Sequence, residues 1–121
     1  MTSQIIYNHI PYFYIIQHKP SGKFYVGCKY SKRKNKTHPD LLLKENGYKT
    51  SSKIVRALIE QDGLESFIIC DIITEDEVKM PFGFTDILHF ETWYLTTYRI
   101  AQNKDYINRC NNAPKSPQLF G

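Results

Sequence analysis

Two short apolar runs separated by a turn form the clearest pattern in the chain, in the stretch FYIIQHKPSGKFYVG at residues 13–27. The turn signal is KPSG at residues 19–22, where Pro and Gly stand between two segments rich in β-branched and aromatic residues. A loop of those four residues pairs His18 with Lys23 and extends the pairing along both runs. The pattern therefore predicts an antiparallel β-hairpin.

The register of this hairpin fixes which side chains share a face, because side chains alternate across a strand. It places Tyr14 opposite Gly27 and makes Tyr14 and Tyr25 diagonal neighbours, roughly 7–8 Å apart. The glycine leaves open space beside the Tyr14 ring, and a shift of one residue would separate the two phenols. The face predicted to be core carries Phe13, Ile15, Phe24, Val26 and Cys28, and the other face carries Tyr12, Tyr14, Ile16, Tyr25 and Gly27.

A helix and a third strand follow a polar segment, residues 29–50, that has no clear periodicity. The stretch at 51–63 has an apolar stripe at helical spacing, with Ser51 suited to cap its start and Gly63 to end it. Residues 66–74, SFIICDIIT, are apolar enough for a central strand. Together with the hairpin, these elements predict an α+β fold: a three-stranded antiparallel sheet flanked by helices.

The remaining pattern predicts an acidic loop at residues 75–83 and a longer helix at about residues 85–102. Glu91 interrupts the apolar side of that helix, where its neighbours three or four positions away are Ile87, Leu88, Tyr94 and Leu95. Those spacings turn its carboxylate inwards, where an unpaired charge would cost several kcal/mol. Two interpretations stay open: an ion pair with Arg56 or Arg99, or a ligand of a hard divalent ion such as Mg²⁺.

Charge is distributed unevenly along the 121 residues, a length that indicates one domain. The first 60 residues hold 11 Lys and Arg against 3 Asp and Glu, whereas the remainder holds 5 against 9. This asymmetry favours a basic face that binds a polyanion, nucleic acid above all, with an ordinary solvated surface as the alternative. The chain has three cysteines without a CxxC pair, which favours a reducing compartment. It shows no signal peptide and no apolar run of about 20 residues. We therefore expect a soluble, intracellular protein in the cytoplasm.

Four motifs follow one another in a fixed order along the chain. They are the tyrosine triplets YFY at residues 12–14 and YVG at 25–27, the inward Glu91 within ETWYL, and INRCNNA at 107–113. This order resembles the GIY-YIG endonucleases, especially the small phage-encoded and homing-type members. In that comparison Glu91 corresponds to the metal-binding glutamate, and INRCNNA corresponds to the asparagine-bearing segment that closes the domain. The resemblance covers about residues 10–113.

The resemblance implies hydrolysis of DNA phosphodiester bonds with one divalent ion, Mg²⁺ or Mn²⁺, held by Glu91. It also implies a tyrosine that activates the attacking water; we expect Tyr14 in this role, with Tyr25 orienting the water or the phosphate. A free phenol has a pKa of about 10, so a base acting near pH 7 needs about 4 kcal/mol of help from nearby cations. The implied catalytic residues are Tyr14, Tyr25, Arg33, His38, Glu91 and Asn111.

Two positions depart from the family pattern. Tyr12 occupies the place where the family usually has glycine. The family's arginine commonly lies ten residues after the second tyrosine, where this chain has Asn35. We therefore expect Arg33 first, and Lys29 second, to neutralise the charge that develops on the phosphate.

A basic stretch from Lys29 to Lys36 carries five cations in eight residues. We expect it to follow the sugar-phosphate backbone and to add affinity without reading sequence. His38 follows this stretch as a proton relay or phosphate contact, and Asn111 or its neighbour Asn112 would bond near the metal or a tyrosine; for both sites an ordinary loop or turn residue is the alternative. The expected DNA-binding residues are Lys29, Lys32, Arg33, Lys34, Lys36 and Lys53.

Two other functions stay open beside the endonuclease. One is a non-catalytic nucleic-acid-binding module on the same scaffold, and the other is a protein-interaction module whose basic face is incidental. We expect a nuclease domain at residues 1–113, an irregular tail at 114–121, a monomer or dimer, no membrane partner, and a bacterial or phage-infected cell as the setting. Homing-type relatives append a DNA-recognition domain, so such a domain is expected to be missing from this chain or separate from it.

Overall fold

A three-stranded antiparallel sheet forms the centre of the fold. The computed structural model describes residues 9–30, 37–45 and 47–108. The strands are β1 (Tyr12–His18), β2 (Lys23–Lys29) and β3 (Phe67–Thr74), in the order β2-β1-β3. The helices are α1 (Lys53–Asp62), α2 (Glu75–Lys79) and α3 (Ile87–Thr97). The predicted α+β class with a three-stranded antiparallel sheet is confirmed; the predicted tail at 114–121 lies outside the described residues.

The hairpin has the predicted register. His18 pairs with Lys23 and Tyr14 pairs with Gly27, so the loop is the four-residue KPSG turn. The Gly22 amide donates to the His18 carbonyl over 2.8 Å, and Gly22 itself has a φ of +73°, which glycine adopts without steric cost. A turn of this length keeps the alternation of both strands in step, which is why the sequence pattern alone sufficed here.

Both faces of the sheet are buried, although only one was predicted to be core. On the α3 side the fully or nearly buried residues are Phe13, Val26, Cys28, Val78, Ile87, Phe90, Leu95 and Ile100. On the α1 side they are Tyr12, Tyr14, Ile16, Leu42, Val55, Phe67 and Ile107. The prediction for the first face is confirmed, and the tyrosine face is covered as well, by α1 and the segment that contains Leu42.

The third strand is an edge strand, so the prediction of a central position is wrong. β1 lies in the middle because it pairs with β2 on one side and with β3 on the other. In β3, Ile68 and Ile69 are each 42% exposed. A continuous apolar run cannot by itself distinguish a central strand from an edge strand, because it records composition and not the number of paired neighbours.

The start of α1 and the acidic segment differ from their predictions. Ser52, not Ser51, caps α1, and its Oγ accepts a hydrogen bond from the Val55 amide over 3.2 Å. The segment predicted as an acidic loop contains the short helix α2. Its start is a capping box, in which the Glu77 carboxylate accepts from the Thr74 amide while the Thr74 side chain accepts from the amide of Glu77.

The last helix is shorter than predicted. Asp86 caps its start, with Oδ1 accepting from the His89 amide over 2.8 Å, and the helix ends at Thr97. Arg99 then adopts a left-handed conformation with a φ of 48°, which breaks the helix before a 3-10 turn at Ile100–Gln102. In the described part of the chain, no helix is both long and apolar enough to cross a membrane.

The chain after α3 returns to the outer edge of β2. The Phe24 amide donates to the Asp105 carbonyl over 2.8 Å, and the Ile107 amide donates to the Phe24 carbonyl over 2.7 Å. The buried Asn108 carboxamide continues this pairing: its Oδ1 accepts from the Val26 amide over 2.9 Å, and its Nδ2 donates to the Val26 carbonyl over 2.8 Å. The C-terminal segment therefore covers the edge of β2 that would otherwise expose unpaired backbone groups.

Candidate active site

The two hairpin tyrosines lie side by side, as their register predicts. The ring centroids of Tyr14 and Tyr25 are 6.2 Å apart. Tyr48 stands edge-on to Tyr14, with centroids 6.1 Å apart, and Tyr12 lies 6.0 Å from Tyr14 on the other side. Tyr14 is thus the centre of a cluster of four phenols, in which its hydroxyl interacts with Tyr48 and Tyr25.

Gly27 allows this cluster to form. A Cβ atom at position 27 would lie 2.6 Å from the Tyr14 hydroxyl oxygen and 3.1 Å from Cε2 of Tyr25. A Cβ atom is essentially never found within 3.0 Å of another heavy atom to which it is not bonded, so any side chain here would displace the Tyr14 ring. The open space that the sequence predicts opposite Tyr14 is therefore filled by Tyr14 itself.

Glu91 is buried at the start of the second turn of α3, with 2% of its surface exposed. The helix packs against β1 through Phe90, whose ring meets Phe13 edge-on with centroids 4.9 Å apart. The Glu91 Oε1 atom accepts a hydrogen bond from the Cys28 thiol over 3.2 Å. Within residues 9–30, 37–45 and 47–108, no arginine forms an ion pair with Glu91, so the predicted pairing with Arg56 or Arg99 is wrong.

Burial governs the protonation of this carboxylate. Loss of solvent raises the pKa of Glu91 to about 8, and the hydrogen bond from Cys28 opposes this only in part. The pKa of the Cys28 thiol is also raised, far above its ordinary value. Burial contributes most, and the charge of the Glu91 carboxylate and the hydrogen bond to it contribute less. In the absence of a bound cation the pair is therefore neutral at pH 7, with the thiol as donor.

The phenols carry the opposite shift from the one that a tyrosine base requires. Burial, then the neighbouring phenols, raises the pKa of Tyr14 well above its ordinary value, and Glu91 adds to the increase. Burial, Tyr48 and Glu91 likewise raise the pKa of Tyr25. Among the described residues no cation lowers these pKa values, and Arg33, which was expected to do so, lies outside them. All these phenols remain protonated donors near neutral pH.

Glu91 and the two hairpin tyrosines lie on opposite sides of the sheet. Cys28, the partner of Glu91, packs among the buried residues of the α3 side, whereas Tyr14 packs among those of the α1 side and Tyr25 lies against them. The carboxylate nevertheless contributes to the raised pKa values of Tyr14, Tyr25 and Tyr48. Glu91, which is 66 and 77 residues from these tyrosines in sequence, therefore acts on them electrostatically.

Three of the predicted basic site residues, Lys29, His38 and Lys53, belong to the described part of the chain. The Lys29 ammonium lies 4.9 Å from the centroid of the Tyr48 ring, a cation–π contact. Lys53 is exposed at the first position of α1. His38 caps the 3-10 turn at Pro39–Leu41, where its Nδ1 accepts from the Asp40 amide over 3.0 Å. The other predicted site residues, Lys32, Arg33, Lys34, Lys36 and Asn111, lie outside the described residues.

Three residues of the site were missed by sequence reasoning. Tyr48 belongs to a segment without periodicity, and it joins the cluster only because the chain folds back through a bridge between Leu42 and Tyr48. Cys28 was assigned to the core face with no polar role. The sequence predicts Asn111 as the functional asparagine of INRCNNA, whereas Asn108 of the same motif bonds to β2. A signal for Cys28 existed, since it directly follows the second tyrosine triplet.

A single divalent ion is compatible with Glu91, provided that water supplies its other ligands. The described residues contain no group of three or more His, Cys, Asp and Glu side chains that could hold a metal ion. Hard ions such as Mg²⁺ take one or two carboxylates and retain several waters. Glu91 supplies a carboxylate and has no cationic partner among the described residues, but with 2% of its surface exposed it must become accessible before a hydrated ion can reach it. The Cys28 thiol, a soft donor, would stay outside the coordination shell.

Comparisons with family models, with curated proteins and with solved structures gave no match. The resemblance to the GIY-YIG endonucleases thus depends on the order of the sequence motifs alone.

Proposed function

We propose that this protein is a divalent-metal-dependent endonuclease of the GIY-YIG type that hydrolyses phosphodiester bonds in DNA. The observation that supports it most is the pair of hairpin phenols, Tyr14 and Tyr25, packed over Gly27, together with a buried carboxylate, Glu91, that acts electrostatically on both. A protein with no catalytic use for Glu91 would gain stability from a neutral residue there, because an inward carboxylate carries a desolvation cost.

Glu91 is assigned the role of metal ligand. Glu91 would hold a divalent ion, and the chemistry supplied by that ion would be Lewis-acid stabilisation of charge on the phosphate. Glu91 must first lose the proton that burial retains up to a pH of about 8, so cation and proton compete for one carboxylate. Cys28 holds Oε1 in place through its thiol and thereby fixes the direction of the carboxylate.

The two tyrosines take different roles because their exposure differs. Tyr14 is 0% exposed, whereas Tyr25 is only partly buried. We assign Tyr25 the contact with water or phosphate, and we assign Tyr14 the positioning of Tyr25 and Tyr48 through its hydroxyl. This reverses the order expected from the sequence, because a fully buried phenol cannot reach a phosphate at the surface. A protonated Tyr25 acts as a donor that orients the attacked phosphate.

Plasmid cleavage tests this proposal. Wild type and Glu91→Gln are compared on supercoiled DNA with Mg²⁺, with Mn²⁺ and with EDTA, and the exposed Glu60→Gln serves as the matched control. Loss of the ligand is expected to reduce the cleavage rate roughly 100-fold or more, while Glu60→Gln retains it. Cleavage that survives Glu91→Gln or persists in EDTA would remove Glu91 from this role.

A non-catalytic nucleic-acid-binding module is the second candidate. It is favoured by the closure of the site: Tyr14 is 0% exposed and Glu91 is 2% exposed, with Cys28 already bonded to the carboxylate. Such a module would bind DNA in a salt-dependent manner and cut none of the substrates offered, whether duplex, branched or single-stranded, with any divalent ion. The same plasmid experiment, extended to these substrates, separates the two candidates.

A further inference from the structure

A cavity of about 360 Å³ lies beside the start of β2, at the opposite end of that strand from Lys29. One wall is the strand itself, and the other is the turn that follows α3. It is lined by Lys23, Ala101, Gln102, Asn103, Lys104 and Tyr106. We call it the β2 groove. None of these residues has a role in the site around Glu91.

Two lysines, Lys23 and Lys104, line the β2 groove, and both are exposed. Neither forms an ion pair with another described residue. The nearest acid in sequence, Asp105, is not among the lining residues. Two lysines without an ion-pair partner in the described structure, both lining one polar cavity, favour an anion such as a phosphate.

The wall after α3 is fixed to the strand, so the groove exists before any ligand binds. Asn103 Oδ1 accepts from the Asp105 amide over 2.9 Å, and the Asn103 carbonyl accepts from the Tyr106 amide over 3.1 Å. The Tyr106 ring lies on Phe24, with centroids 5.7 Å apart. Backbone bonds from Phe24 to this segment complete the attachment. A preformed cavity binds an anion with a smaller ordering cost than a flexible lysine pair would.

The groove lies one step along the strand from the phenols. Lys23 and Tyr25 are two residues apart on β2, so their Cα atoms are about 7 Å apart and their side chains leave the same face. A DNA strand carries one phosphate for about every 3.4 Å of helix rise. A phosphate chain that passes Tyr25 therefore reaches Lys23 within roughly two nucleotides.

We propose that the β2 groove binds a backbone phosphate of duplex DNA, one or two nucleotides from the scissile bond, between Lys23 and Lys104. The inference rests on the proposed function, because it places the groove on the path of the same DNA strand. It adds a fixed phosphate contact that would set the direction in which the strand crosses β2.

Salt-dependent binding tests the groove. The affinity of wild type, Lys23→Gln, Lys104→Gln and the double variant for a fluorescent duplex is measured in EDTA, where no cleavage interferes, over a range of salt concentrations. Lys79→Gln is the matched control, since Lys79 lies beside Glu75 on the acidic helix α2. The double variant is expected to reduce the slope of log K against log salt by about 0.9 and to weaken binding several-fold, with Lys79→Gln unchanged.

Each outcome decides between the groove and the function on which it rests. A wild type that binds and cuts DNA while the groove variants keep its slope overturns the groove alone. An equal fall in slope for Lys79→Gln also overturns it, because the effect is then one of net charge. A wild type that neither binds nor cuts duplex DNA overturns the proposed function, and the groove with it.

Discussion

The Cys28 thiol donates a hydrogen bond to the Glu91 carboxylate over 3.2 Å, between β2 and the middle of α3. The donor is weak and uncharged, so it leaves most of the cost of burying the acid uncompensated. Glu91 is therefore held in a place where its ionised form lowers the stability of the fold. Strain of this kind is typical of residues retained for what they bind.

The first prediction concerns the pH dependence of stability without metal. The pKa of Glu91 is about 8 in the folded protein, against about 4.5 in the unfolded chain, so between these values the native state binds more protons. The free energy of unfolding should then fall as pH rises from about 5 to about 8. Glu91→Gln keeps the acceptor for Cys28 and removes this loss, so its stability advantage should grow with pH, to several kcal/mol at most. Urea denaturation in EDTA at several pH values measures it.

Glu60→Gln is the control for this measurement, because Glu60 is exposed on α1. Its stability should follow that of wild type throughout the pH range. If the difference in the free energy of unfolding between Glu91→Gln and wild type is constant from pH 5 to pH 9, the pKa of Glu91 is not raised in the folded protein.

The second prediction concerns the contact between Gly27 and Tyr14. Gly27→Ala should destabilise the fold by about 1–3 kcal/mol, because the new Cβ overlaps the Tyr14 phenol. In a double-mutant cycle, Tyr14→Ala should recover part of this cost, because it removes both overlapping atoms, the hydroxyl oxygen at 2.6 Å and Cζ at 2.7 Å. Denaturation of the four proteins measures the coupling. Strictly additive effects would mean that the Tyr14 phenol does not lie over Gly27.

The third prediction concerns Tyr12, at the start of β1. Its hydroxyl is buried and forms no hydrogen bond within the described structure. Burying an unsatisfied hydroxyl costs about 1–3 kcal/mol, so Tyr12→Phe should raise the free energy of unfolding by roughly 1 kcal/mol or more. Tyr14→Phe is the comparison, because the Tyr14 hydroxyl interacts with Tyr48 and Tyr25, and its removal should destabilise. A Tyr12→Phe variant less stable than wild type would indicate a bound water at that hydroxyl.

The hairpin and the inward position of Glu91 could be predicted because both depend on local spacing. A four-residue turn sets the register from His18 outwards, and helical periodicity turns residue 91 towards the sheet. The short helix α2 was missed because its capping box depends on a reciprocal pair, Thr74 with Glu77, inside a segment that composition alone labels a loop.

Other features depend on contacts between distant segments. The edge position of β3 follows from its pairing with β1, and the place of Tyr48 follows from a bridge formed after a turn of the chain. Both features depend on which distant segments pair in the tertiary structure, and the periodicity of a sequence does not indicate that pairing. The raised pKa values of the phenols also depend on tertiary contacts, because burial contributes most to them and the neighbouring phenols come next.

The fourth prediction tests how the chain after α3 is attached. The Asn108 carboxamide forms two hydrogen bonds with the backbone of Val26, in the strand that also carries Gly27 and Cys28. Asn108→Ala should therefore destabilise by about 2–3 kcal/mol, because both Val26 groups lose their partner in a buried place. Asn103→Ala, exposed and bonded only to the nearby Asp105 amide, should cost less than about 1 kcal/mol. Hydrogen exchange at the Val26 amide reports the same attachment locally. If that amide stays as protected in Asn108→Ala as in wild type, another group satisfies it, and Asn108 does not anchor the segment beside the candidate site.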